Sequence, residues 1–225
     1  MMKHRNSHLL TGYWSRIRKG RDTPDQADID PRCIKRMLSH VFILDAANPA
    51  QPFYRLAGTT MCERFGLELR GTSFYRHWEA RSHETLTLLL SQSLATKQPL
   101  ALSATGVAPQ CALVELETVL APITAGSGAP RRFLGMVQFL NDPATRAASP
   151  IAYERLMGSK LIQEIECTDR MDEPPPPSQR IARKASHLRL VVSRNEPVTL
   201  HFEMADAMRE LVAALEVTPS LKLVR

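Results

Sequence analysis

The chain has 225 residues, of which 44% are hydrophobic and 23% charged, and its net charge is +6. That length suits one domain of about 100–150 residues with appendages, or two small domains, and the apolar content excludes a wholly disordered chain. No apolar run approaches the roughly 20 residues of a membrane-spanning helix, the densest stretch being Leu86-Thr87-Leu88-Leu89-Leu90.

Leu9, Leu10, Tyr13, Trp14 and Ile17 fall on one stripe of a 3.6-residue repeat and predict an amphipathic helix ended by Gly20. Asp30 as N-cap, Pro31 at the first helical position and Ile29 placed to staple against Ile34 predict a second helix. The period then becomes that of extended chain. Val41–Leu44 reads as a buried strand and Phe53–Ala57 as its partner, with Tyr54 and Leu56 on one face and Arg55 on the other. Thr60-Met61-Cys62-Glu63 has capping-box spacing, so a short helix should run from there to Gly66. A longer helix is expected over His83–Lys97, stopped by Pro99, then strands over 99–106, 111–121 and 131–140.

Ser149-Pro150 reads as the opening of another helix, with Tyr153, Leu156, Met157, Leu161 and Ile165 on its apolar side. Thr168 to Gln179, containing Pro174–Pro177, is a linker with polyproline character. Beyond it, alternation at Leu188, Leu190 and Val192 and again at Val198, Leu200 and Phe202 precedes a helical stripe from Met204 to Leu215. The expected organisation is therefore an N-terminal helical segment (1–38), a core (39–142), a flanking helix (143–167), a Pro-rich linker (168–180) and a strand–strand–helix appendage (181–225).

Charge and motifs narrow the chemistry. Residues 1–36 carry +5, residues 37–179 carry −2 and residues 180–225 carry +3, so the ends are basic around a near-neutral middle. No Lys/Arg run exceeds two residues, so the nucleic-acid footprint is weak; a DNA-associated regulator using Arg180–Arg194 is the alternative reading. Cys33, Cys62, Cys111 and Cys167 are scattered, with no CxxC pair, and the basic start leads into no apolar core. Reduced thiols, no metal site and a cytoplasmic location are expected. Gly126-Ser127-Gly128 reads as a hairpin tip, and Glu115 and Glu117, sharing one face of a strand, as a solvated surface. His77 and His83 flank a presumed ligand space and imidazole suits iron, but their simpler reading is as surface or helix-start residues. Cys62 reads as a small core residue rather than a reactive thiol. No catalytic residue is identified.

Taken together, Tyr13-Trp14, Asp28-Ile29-Asp30-Pro31, Phe53–Thr59, and Glu68–Phe74 followed by Trp78 resemble a family of short, stand-alone bacterial PAS-domain proteins over about residues 8–142. The strand Glu115 to Pro122 and Phe133-Leu134-Gly135 are similar to that family's closing strands. The resemblance implies an α+β fold, with a five-stranded antiparallel sheet and helices packed across one face. It also implies a sensory or regulatory adaptor acting near phosphorelay proteins, without a catalytic domain. The cysteine-containing motif of light-sensing flavin PAS domains is missing, and neither haem nor flavin is expected as a cofactor. A ligand space between sheet and helices would be lined by Tyr54, Leu56, Met61, Phe65, Trp78, Leu90, Val137 and Phe139. The stripe Leu10, Tyr13, Trp14 and Ile17 must either fold back on its own domain or pair with a second copy, and a homodimer through it is expected.

Overall fold

Strand pairing sets the architecture. The computed structural model describes residues 2–109, 113–126, 128–141 and 150–163. Its strands are β1 (Val41–Asp45), β2 (Phe53–Ala57), β3 (Leu100–Val107), β4 (Leu113–Ile123), β5 (Arg132–Phe139) and β6 (Tyr153–Leu161). They form one sheet in the order β2-β1-β5-β4-β3-β6, with every neighbouring pair antiparallel. The helices are α1 (Arg5–Ile17), α2 (Thr59–Phe65) and α3 (His83–Thr96). The expected linker 168–180, the appendage 181–225 and the basic segment Arg180–Arg194 lie outside the described residues.

The sheet has six strands, not five, because the expected flanking helix is β6. Its register against β3 runs from Leu100↔Leu161 to Val107↔Tyr153, with a bulge near Met157, where the pairing jumps from Ser103↔Gly158 to Ala104↔Leu156. The extra residue breaks the period-2 pattern, so Tyr153, Leu156, Met157 and Leu161 fall at intervals that mimic a helix. What decides the conformation is the open edge of β3, whose amide and carbonyl groups need partners.

Each face of the sheet carries its own core. On one side Phe42, Leu44, Leu100, Leu102, Leu116, Leu120, Phe133 and Val137 pack against residues of α2, α3 and the 310 turn Phe74–His77. On the other side Val41, Ile43, Val119, Ala121, Ile123, Leu134 and Met136 meet α1 and the 310 turn Pro31–Ile34. Helices therefore cover both faces rather than one. Across β1 and β5, Phe42 pairs with Gly135, and a Cβ at residue 135 would stand 2.2 Å from the Phe42 ring. Glycine is what lets this ring lie flat on the neighbouring strand.

The stripe assigned to a dimer contact is covered by the chain's own sheet. Leu10, Tyr13 and Trp14 are at most 4% exposed, and Ile17 packs at the edge of the same core. The Trp14 indole donates to the Pro122 carbonyl at 2.6 Å, and the Tyr13 hydroxyl accepts from the Asp30 amide at 2.7 Å. The expected second helix reduces to the single turn Pro31–Ile34, where Asp30 does cap, accepting from the Arg32 amide at 3.0 Å. Glu117 is a second correction. It is 2% exposed, and its carboxylate accepts from the backbone amides of Lys3 and His4, just ahead of α1; Glu115 beside it on the strand is exposed and meets Lys3. A carboxylate at a helix start faces unpaired amides and the positive end of the helix dipole.

Trp14→Ala should lower the unfolding free energy by about 3–5 kcal/mol through the cavity it leaves. Trp14→Phe, which keeps most of the ring volume and loses the bond to Pro122, should cost about 1–3 kcal/mol. Urea denaturation of the full chain checks both.

Candidate functional site

The core between the sheet and α2–α3 holds the side chains that were expected to line a ligand space. β2 supplies Tyr54, α2 supplies Met61 and Phe65, α3 supplies Leu90 and β5 supplies Val137, all at most 4% exposed. Trp78, equally buried, follows the turn Phe74–His77. Ser73 caps that turn by accepting from the Tyr75 amide, and the Trp78 amide closes it onto the Tyr75 carbonyl. The aromatic rings run in a chain: Phe42 to Tyr54 at 5.4 Å, Tyr54 to Phe74 at 5.8 Å and Phe74 to Trp78 at 5.8 Å.

Phe139 stands at the rim, half-buried, with the Arg64 guanidinium 5.3 Å from its ring centre. Leu56 is not part of the group. The β1–β2 register jumps from Ile43↔Leu56 to Leu44↔Tyr54, leaving Arg55 as the bulged residue. Tyr54 therefore faces this core, while Leu56 packs against the opposite one. Leu56 also lines an exterior cleft of about 450 Å³ with Arg55, Cys62, Glu63, Glu68 and Arg70. Cys62 is only half-buried, and its thiol is pushed up by burial and by Glu68 beside it, away from nucleophilic character.

The two histidines are held by packing. His77 lies 4.6 Å from the Phe65 ring, and burial, helped by Arg76, pushes its pKa down. His83 stacks on Tyr75 at 5.0 Å, and its Nε2 donates to the Trp78 carbonyl at 2.9 Å.

A residue that sequence reasoning missed gives this interior its chemistry. Glu154 on β6 is 3% exposed and sits opposite Gly106 of β3 on the same face as Ala104 and Leu102. Its backbone forms a parallel bridge to Trp78, and the Glu79 amide donates to its carbonyl at 2.8 Å. Burial alone raises its pKa from 4.5 to about 8, with no hydrogen bond or opposite charge offsetting the loss of water. The Tyr54 hydroxyl is pushed well above its usual range, first by burial and then by Glu154. The Trp78 Nε1–H, on the residue bridged to Glu154, is buried without a hydrogen-bond acceptor. Within an otherwise apolar core this group has donor and acceptor capacity that the protein leaves unused, an arrangement that costs free energy until something fills it. Glu154 escaped notice because residue 154 falls in the segment whose spacing mimics a helix.

Six antiparallel strands, a pair of helices over one face and a buried aromatic chain beneath them are the frame in which this group sits. The family described as PAS domain, PAS_5, matches residues 2–138. The chain belongs to the PAS domain family. That match ends before β6, so Glu154 enters this PAS interior from a strand outside the matched segment. Among solved structures, this PAS protein is similar to a light-oxygen-voltage (LOV) domain studied with a flavin analogue, at 10% identity and a TM-score of 0.40, covering 49% of this chain and 84% of that one. It is also similar to the Rhodobacter sphaeroides LOV protein, at 14% identity and a TM-score of 0.39, covering 52% and 71%. The LOV domain of the blue-light photoreceptor Aureochrome1 in its light state matches at 9% identity and a TM-score of 0.37, covering 49% and 88%. No curated protein matches. Among the described residues no helix is long and apolar enough to cross a membrane.

The Glu154 shift fixes a pH dependence and its sign. Below its ordinary pKa of 4.5 the group is protonated both folded and unfolded and has no effect. Between 4.5 and about 8 the unfolded chain releases the proton and the folded chain keeps it, so stability falls as pH rises, and it levels off above 8. The full loss is on the order of 5 kcal/mol. Glu154→Gln should remove most of this slope and leave the variant more stable than wild type at pH 8.5, as read from urea midpoints across that range.

Proposed function

We propose that this PAS protein is a non-catalytic sensory module whose interior takes a small ligand against Trp78 and Glu154 and whose output is contact with signalling proteins of a phosphorelay. The sensory character follows from membership of the PAS family. The ligand reading rests on one observation: Trp78 and Glu154, bridged through their backbones, carry a buried indole N–H without an acceptor and a buried carboxyl without a compensating partner. A neutral carboxyl and an indole N–H together offer a planar guest both donors and an acceptor, and apolar walls with a few polar groups are the usual form of a small-molecule site. The reading includes neither haem nor flavin; the missing cysteine motif bears on a covalent flavin alone.

A second copy of the chain belongs to the same proposal. With the α1 stripe occupied by its own sheet, a twofold contact falls to apolar side chains left outside; among the described residues these are Phe53, Leu88, Leu113, Tyr153 and Met157.

Native mass spectrometry of freshly purified full-length protein tests both parts in one spectrum. The expected result is a dimer mass carrying a small organic adduct that is released on denaturation. Trp78→Phe removes the N–H and keeps a ring in place, so it should fold with wild-type or slightly higher stability and lose the adduct. An adduct-free wild-type spectrum would overturn the ligand reading, and a monomer mass across micromolar concentrations would overturn the dimer.

A further inference from the structure

The ends of α1 and α3 meet where the described chain leaves the domain. A cleft of about 400 Å³ opens there, lined by Trp14, Arg18 and Asp22 on one side, Lys97 and Pro99 on another, and Ile162 at the exit. Ile162 is fixed to this rim by its amide, which donates to the Pro99 carbonyl at 2.7 Å. An adjoining cleft of about 430 Å³ shares Asp22 and Lys97 and adds Arg21.

The surroundings are strongly basic. Arg16, Arg18, Lys19 and Arg21 crowd the end of α1, and Lys97, in the left-handed conformation that ends α3, faces them. Two acidic groups answer part of this charge: Asp22 pairs with Lys97, and Asp28 with Arg21. Arg16 and Lys19 are exposed, and the Arg18 guanidinium lies 5.0 Å over the Trp14 ring, with its Nε buried and making no hydrogen bond. An arginine packed on an indole is held in one orientation, with its remaining N–H groups free to meet an anion.

The chain continuing from this point is acidic. Glu164, Glu166, Asp169, Asp172 and Glu173 stand against Arg170 alone, so residues 164–173 carry −4, immediately before Pro174–Pro177. Extended, ten residues span roughly 33 Å, ample to cross the cleft and the end of α1. Because the segment starts at the cleft's own rim, little loop-closure entropy opposes contact. Position, length and opposite charge converge on one occupant.

We propose that residues 164–173 dock on the cleft lined by Arg18 and Lys97, with the exposed Arg16 and Lys19 at the end of α1 adding positive charge nearby, joining the chain beyond the PAS sheet to the end of α1. The contact is electrostatic and therefore salt-sensitive.

Carbodiimide cross-linking of the full-length protein tests this, because the reagent joins ammonium and carboxylate groups that are already in contact. An equal mixture of 14N- and 15N-labelled chains separates links within one chain from links between copies. The expected products are intrachain links from Lys19 or Lys97 to carboxylates of residues 164–173, falling roughly fivefold between 50 mM and 500 mM sodium chloride. Finding only the Lys97–Asp22 link, or finding the segment linked only between differently labelled chains, would overturn the proposal, the latter in favour of a second copy. Tryptic cleavage after Arg18 and Lys19 gives an independent reading. A full-length variant with Glu164→Gln, Glu166→Gln, Asp169→Asn, Asp172→Asn and Glu173→Gln should be cut several-fold faster than wild type, and equal rates would also overturn it.

Discussion

Val41, Phe42, Ile43 and Leu44 are buried without alternation, so β1 needs cover on both of its faces, and most of the architecture follows from that requirement. A sheet that is apolar on one side can leave the other to water, whereas this one cannot. Phe42 and Leu44 belong to the core under α2 and α3, and Val41 and Ile43 to the core under α1. The N-terminal helix is thus a structural layer of the domain. The Trp14 bond to Pro122 and the Glu117 carboxylate near its start fix where that layer sits.

Once both faces are sealed, polar groups inside acquire energetic weight. Glu154 and Trp78 lie in an interior whose other contributors are largely aromatic and aliphatic, and removal from water pushes the carboxyl up to about 8. Evolution removes such groups easily when they do nothing, since an apolar residue of similar shape would be more stable there. Glu154 lies opposite Gly106 on a strand added at the sheet edge, outside the segment that defines the family, and Trp78 lies inside that segment.

The elements were legible where local patterns were unbroken. The helical stripe of α1, the apolar run of β1, the Gly66 stop of α2, and the alternation of β4 all placed their elements, whereas the capping box expected at Thr60–Glu63 is replaced by a start at Gly58 without a side-chain cap. Six of the eight side chains expected around the ligand space come together in one buried core. Both bulges defeated the same reasoning. At Arg55 one extra residue turned Leu56 to the wrong face, and near Met157 another disguised a strand as a helix and hid Glu154. The Glu115–Glu117 pair failed for a different reason: a face that looks solvated in one strand is buried when a distant helix lies across it.

The sequence by itself determined which segments are apolar, where chains turn, and the family to which the domain belongs, because those depend on residues close together along the chain. Tertiary structure alone decided which face each side chain meets, that α1 closes the second face instead of offering itself to a partner, and that residues 153–161 complete the sheet. Those outcomes hinge on strand register and on the unpaired edge of β3, which are settled by hydrogen bonds between residues about fifty positions apart.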